Sequence, residues 1–222
     1  MCNHYRADPD YRAQEVSETR IEPFPRRWHG VNDVATEVYP GRYGQIVMTE
    51  DGELVEGAAY WRFVPWTWKG SLRDWAKPSK PGAVRGKSCN NARGETADTT
   101  AMWREAAKKG RCLIPARGFF EWGVGPDGKG EHYFAPAAGG TLWLGGLCGW
   151  AEPEDGRMLT YTMVTKPCGA ETSAIGHHRQ PVNLQGDQLQ AWLDPASPVR
   201  DFLEMSPAGT FTIERQAAKA EA

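Results

Sequence analysis

From Arg111 onward the chain is a succession of short apolar or alternating runs, and no other feature constrains its fold as tightly. They are Arg111–Pro115, Gly118–Trp122, His132–Ala135, Leu142–Trp150 and Leu159–Val164. Each has the length of a strand and is too short for a helix with an apolar face. Pro126-Asp127-Gly128 and Gly139-Gly140 separate several of them, as hairpin turns do. The 25 glycines and 16 prolines extend this bias along all 222 residues, favouring turns and short strands over long helices. Upstream, Gln45–Thr49 and Ala58–Val64 read as strands, with Glu50-Asp51-Gly52 a turn. Helices are predicted over Asp10–Thr19, Thr96–Lys109 and Leu189–Leu193, the second stopped by Gly110. Phe211–Ile213 reads as a last strand. Without an internal repeat or a linker, the chain is predicted to be α+β: a single domain on a mostly antiparallel, barrel-like β-sheet with a few flanking helices. That domain spans 1–213, and the Ala- and charge-rich residues 214–222 are expected to form a flexible tail.

Composition narrows the function classes. A hydrophobic fraction of 40% with ten tryptophans points to a packed core. No apolar run reaches membrane-spanning length and the N-terminus lacks a secretory core, so a cytoplasmic protein is expected, nucleoid-associated when bound to DNA. The five cysteines contain no Cys-x-x-Cys pair, which counts against structural zinc and a disulfide framework. Cys112 and Cys148 lie in apolar runs and read as buried small hydrophobes. With a net charge of −2, contact with a polyanion requires a local basic patch. Tyr60–Arg93 supplies one: Arg62, Lys69, Arg73, Lys77, Lys80, Arg85, Lys87 and Arg93 stand against the lone acid Asp74, interleaved with Trp61, Trp66, Trp68 and Trp75. Cations that follow a phosphate backbone, mixed with rings on which bases stack, suit single-stranded nucleic acid. The competing reading is a solvated loop whose tryptophans pack into the core.

Four places carry candidate chemistry. Cys2 follows Met1 directly, and removal of Met1 would create a 1,2-aminothiol, which condenses with an aldehyde to an imine and closes a thiazolidine ring. Glu121 lies among aromatic residues in Gly118-Phe119-Phe120-Glu121-Trp122; buried, such a carboxyl has a raised pKa and suits proton transfer, whereas alternation could equally point it to solvent. Asn91 offers an amide that both donates and accepts, in a segment that also reads as a helix entry. His177-His178 is a close histidine pair whose rings are expected to diverge, so that they do not share a metal; a free imidazole is the natural acid and base. His4, His29 and His132 have no motif around them and read as structural histidines.

The order of these pieces resembles the SOS response-associated peptidase (SRAP) family. The resemblance runs from Met1-Cys2 through Asn91-Ala92-Arg93-x-Glu95-Thr96 and Arg111-Cys112-Leu113-Ile114-Pro115-Ala116-x-Gly118-Phe119-Phe120-Glu121-Trp122 to His177-x-Arg179-x-Pro181. Two departures stand out. The family's early arginine is not matched at position 4, where Arg6 is the nearest substitute, and His178 stands where an Asp is common; register with Arg179 and Pro181 favours His177 as the catalytic histidine. The resemblance implies a sensor and shield of abasic sites in single-stranded DNA, linked covalently through Cys2 after Met1 removal. Asn91 would orient the sugar, Glu121 relay protons and His177 open the sugar ring. Trp68, Arg62, Lys69, Arg93, Arg6 and Arg179 would hold the strand. The family name also implies self-processing of Met1. No metal or organic cofactor is called for, no membrane is involved, and a monomer suffices. Two alternatives stay open: a thiol peptidase acting on other proteins, and a non-covalent single-strand binding module.

Overall fold

Alternating apolar residues need a second surface to cover them, and here a strongly curved sheet provides it by bending back on itself. The computed structural model describes residues 2–18, 24–25, 34–77, 89–126, 128–204 and 211–216. Within them lie twelve strands: β1 (His4–Ala7), β2 (Glu37–Val38), β3 (Tyr43–Glu50), β4 (Glu53–Trp61), β5 (Asn91–Arg93), β6 (Arg111–Gly125), β7 (Gly128–Pro136), β8 (Leu142–Ala151), β9 (Met158–Pro167), β10 (Arg179–Pro181), β11 (Asn183–Leu184) and β12 (Phe211–Arg215). Five short helices flank them: α1 (Leu72–Trp75), α2 (Gly94–Ala97), α3 (Arg104–Lys109), α4 (Ala170–Ser173) and α5 (Gln188–Leu193).

The strand β6 organises the sheet. Its first half pairs with β3 on one side and with β8 on the other, so that β6, β8, β9, β4 and β3 form a ring. Its second half leaves the ring and pairs with β1 and β7. The pairings are antiparallel except β4 and β5 against β9. The expected α+β architecture is therefore present, with a ring-like sheet that is not a strict barrel.

Several local expectations are revised. Arg111–Pro115 and Gly118–Trp122 are one fifteen-residue strand, because the register shifts opposite Arg6 and Ala7 and a bulge at Arg117 carries the chain through. The predicted Thr96–Lys109 helix is two helices; Asp98, Thr99 and Thr100 favour local turns, and Trp103 and Arg104 both donate to the Thr100 carbonyl. Of Asp10–Thr19 only a 3-10 turn at Ala13–Glu15 is seen, with Thr19 outside the described residues. The strand expected to reach Val64 ends at Trp61, after which Phe63 donates to the Cys89 carbonyl. At the other end of the chain, β12 continues to Arg215, two residues into the segment expected to be loose. The Glu50–Glu53 turn is as predicted: Asp51 and Gly52 sit at φ 51° and 82°, the signs a two-residue hairpin turn needs.

Inside the ring pack Tyr5, Ile46, Cys112, Ile114, Leu144, Cys148, Tyr161 and Met163. The Tyr5 and Tyr161 hydroxyls meet at 2.7 Å in the middle of this core. Gly44 makes room for them: a Cβ there would stand 2.1 and 2.4 Å from the two hydroxyl oxygens. A second core on the outer side joins Trp103, Trp143 and Trp192 to the flanking helices. No helix among the described residues is long and apolar enough to cross a membrane.

Candidate active site

The second residue of the chain is completely buried. Pairing of His4 with Phe120 and of Tyr5 with Phe119 draws the start of β1 against β6, which brings Cys2 beside Glu121. Two consecutive asparagines fasten it. Asn91 Nδ2 donates to the Cys2 carbonyl at 2.7 Å, and Asn90 Nδ2 donates to Asn3 Oδ1 at 2.7 Å. The asparagines are themselves fixed, because the Asn90 carbonyl accepts from Trp61 Nε1 and from the Met163 amide. Asn91 Oδ1 is buried and accepts no hydrogen bond among the described residues. The amide therefore holds Cys2 with its donor and keeps a buried acceptor for a further proton-bearing group.

Glu121 points inward, only 3% exposed, while its neighbour Trp122 faces outward at 62%. Burial pushes the Glu121 carboxyl up to about 8. Its Oε2 lies 3.1 Å from His177 Nε2. His177 Nδ1 lies 2.8 Å from the Arg179 carbonyl, which can only accept. The ring proton therefore sits on Nδ1, and the Nε2 lone pair faces Glu121. Burial lowers His177. A neutral imidazole and a carboxylic acid thus share one proton at neutral pH. The Cys2 thiol is held above its ordinary range, by burial first and by the charge of Glu121 second.

His178 is exposed, and its ring stacks on that of His177 at 5.9 Å and 11°. The expected divergence is therefore not seen; the pair lies between the turn after α4 and the start of β10. Among the described residues no group of three or more His, Cys, Asp or Glu is arranged to hold a metal ion.

The predicted strand-holding residues fall into different settings. Arg179 is committed within the chain: its guanidinium forks onto Glu95 with two 2.7 Å contacts and also reaches the Thr165 side chain and carbonyl. This pairing holds the Glu95 carboxyl below its usual range. Arg6 pairs with Glu37 at 2.6 Å and lies over the Tyr133 ring. Arg93 is exposed beside the site and Arg62 is half-buried; neither forms an ion pair with a described residue. Trp68 is half-buried against Trp75, with its indole N–H on the Ser71 carbonyl. Lys69 reaches Glu152 at 3.4 Å. Both therefore lie near the β8–β9 hairpin, and it is Trp66 that is exposed there, at 68%. An apolar pocket of about 300 Å³ beside Trp66, lined also by Phe63, Cys148 and Leu159, lies toward the same end. Along β9, Leu159 precedes the Asn91-paired Met163 by four residues, or about 13 Å. Lys80, Arg85 and Lys87 fall outside the described residues.

Sequence reasoning left His4 as a structural histidine, with no partners named. Its ring is sandwiched between Tyr39 at 4.1 Å and Phe120 at 3.8 Å. Nε2 meets Glu37 at 2.5 Å and Nδ1 meets Glu131 at 3.1 Å. The site where the family's early arginine was sought thus holds a buried histidine between two acids. Alternation alone gives the face of β1 that His4 occupies, but its partners come from β2 and β7, more than thirty and more than a hundred residues away. His132 is buried with Nδ1 at the Gly130 carbonyl, as a structural histidine would be.

Comparison with known proteins gives the family and the fold. The family model "SOS response associated peptidase (SRAP)" matches residues 1–216. The abasic site processing protein HMCES of Gallus gallus is 31% identical over 160 residues, covering 61% of this chain and 47% of that protein. The abasic site processing protein YoqW of Bacillus subtilis is 30% identical over 137 residues, covering 61% of this chain and 59% of that protein. The chain thus spans about half the length of these relatives. A crystal structure of a Bordetella bronchiseptica protein superposes with a TM-score of 0.74 at 25% identity, covering 98% of this chain and 100% of that one. A Bacteroides thetaiotaomicron structure, 19% identical with a TM-score of 0.71, shares the fold and covers 96% of this chain and 91% of its own. With a match over nearly its whole length and the same fold, the chain belongs to the SOS response-associated peptidase family.

Proposed function

We propose that this chain captures abasic sites in single-stranded DNA, forming a thiazolidine between the ring-opened sugar and Cys2 once Met1 has been removed. The observation that carries the reading is the joining of Cys2, Asn91, Glu121 and His177 in one buried cluster, in a chain whose relatives are named for abasic-site processing.

With Met1 in place the Cys2 nitrogen is an amide; after its removal the nitrogen is an amine with an ordinary pKa of about 8. The neutral amine adds to the C1′ aldehyde. Glu121, protonated by virtue of its burial, gives its proton to the departing hydroxyl, which leaves as water and yields the protonated imine beside the Glu121 carboxylate. The Cys2 sulfur then adds to the iminium carbon as its proton returns to the Glu121 carboxylate, leaving the ring nitrogen neutral. The sum is aldehyde plus aminothiol giving thiazolidine plus one water. His177, neutral and hydrogen-bonded to Glu121, supplies the base that opens the sugar ring. Asn91 Oδ1 accepts from a sugar hydroxyl, and Arg93 and Arg62 neutralise phosphates. Arg6 and Arg179 act by holding Glu37 and Glu95, and Trp68 and Lys69 take the flanking strand farther from the lesion.

A thiol peptidase acting on other proteins would use the same Cys2, Glu121 and His177; it is the family title, not the name of either relative, that speaks of a peptidase. Self-processing of Met1 would draw on the same Glu121 and His177. Intact-protein mass spectrometry with an oligonucleotide bearing one abasic site tests the proposal. The expected product has lost Met1 and gained one oligonucleotide less one water, mapped to Cys2. A processed chain that gains nothing overturns the proposal; cleavage of peptides without DNA would favour the peptidase instead.

A further inference from the structure

The loop that carries His177 belongs to a different part of the chain from the strand that carries Glu121, yet the two side chains meet at hydrogen-bond distance. Two to three residues from each of them, the same two segments meet again. The Val124 amide donates to the Ile175 carbonyl at 2.9 Å, and Ile175 is buried. A Cβ on Gly123 would stand 2.2 Å from that carbonyl oxygen and 2.9 Å from the Ile175 Cβ and Cδ1. Backbone cannot approach so closely past any larger residue. Gly123 shares the inward face of β6 with Glu121, and Ile175 precedes His177 by two. The far side of the loop is tied as firmly. The His177 amide donates to the Thr172 carbonyl, and Gln180 Oε1 accepts from both the Thr172 hydroxyl and the Gly169 amide.

We infer that Gly123 and Ile175 are positioning residues: the close backbone contact between them sets the separation of Glu121 and His177. Gly125 is the natural control. It lies on the same face, two residues further along, but a Cβ there would meet the end of the His132 ring at 2.6 Å and only the Ile175 Cγ2 at 3.3 Å, leaving the Ile175 carbonyl untouched.

The test is NMR titration of the Glu121 carboxyl and the His177 ring in the parent, Gly123→Ala, Ile175→Ala and Gly125→Ala, without DNA. Gly123→Ala pushes the loop away and Ile175→Ala removes the wedge that seats it, so both admit water between the two groups. The Glu121 midpoint is expected to fall from about 8, and that of His177 to rise, each by on the order of one pH unit. Gly125→Ala should leave both in place even where it lowers the melting temperature. Parent-like midpoints in the first two variants while they remain folded overturn the inference, as do equal shifts in all three. Should Gly123→Ala not fold, Ile175→Ala carries the same comparison. The consequence for activity rests on the proposed function: adduct formation should slow on the order of tenfold to a hundredfold in Gly123→Ala. Absence of any adduct with the parent would sink the proposed function and leave the titration result standing.

Discussion

Replacing Glu121 with glutamine removes an ionisable group from the core while keeping its shape and a donor for His177 Nε2. The folded carboxyl titrates at about 8, against 4.5 ordinarily, and burial is the cause. A carboxyl raised on folding stabilises the fold fully below its unfolded pKa, and that contribution is lost as pH rises to the folded value, because over that interval the folded chain binds the extra proton. The parent should therefore weaken relative to Glu121→Gln from about pH 4.5 to about 8, and not outside that window. At about 1.4 kcal/mol per pH unit the difference accumulates to a ceiling of about 4–5 kcal/mol. Water entry and proton transfer to His177 relieve part of this, leaving about 2–3 kcal/mol. Urea unfolding of both proteins in half-unit steps from pH 4.5 to 9 gives the difference curve directly, since every other titrating group is shared. A difference that stays flat across the window, or a parent that gains on the variant as pH rises, refutes the assignment of Glu121 as a buried acid.

Other outcomes follow from the same geometry. Adduct formation needs a neutral terminal amine and a protonated Glu121, so its rate should peak near pH 8, and Glu121→Gln should be slow without the alkaline decline, as measured by gel-quenched time courses. Asn91→Ala removes the donor to the Cys2 carbonyl and should cost about 1–3 kcal/mol in urea unfolding, with reduced adduct yield under conditions where the fold persists. Gly44→Ala drives a methyl against the Tyr5 and Tyr161 hydroxyls and should destabilise by about 3 kcal/mol, seen as a lower melting temperature, with the site residues untouched. Cys2→Ser retains the amine and should give at most a labile imine, lost on a denaturing gel where the parent adduct persists.

The sheet was legible because strand signals are local. Leu142–Trp150 and Leu159–Val164 extend by only a few residues in the structure. The join across Pro115 was not legible, since the bulge that permits it is set by β1, a strand from the far end of the chain. Glu121 could be named from its aromatic neighbours, but its inward direction depends on the register of β6 with β1 and β7. Charge alone also misleads. Arg6 and Arg179 read as free cations in sequence, whereas each finds a carboxylate, Glu37 and Glu95, that no local pattern links to it. His4, read as structural, likewise has acidic partners that no local pattern links to it.

The burial of Cys2 in a pairing with residues near position 120 has a consequence for the order of events during synthesis. Cys2 is made 175 residues before His177, and its cluster cannot close until His177 has followed. At about 5–20 residues per second that interval is roughly 10–35 s. Throughout it the segment around Cys2 lacks its β6 partner and is open to solvent; once β1 has zipped onto β6, the Cys2 thiol is withdrawn from solution.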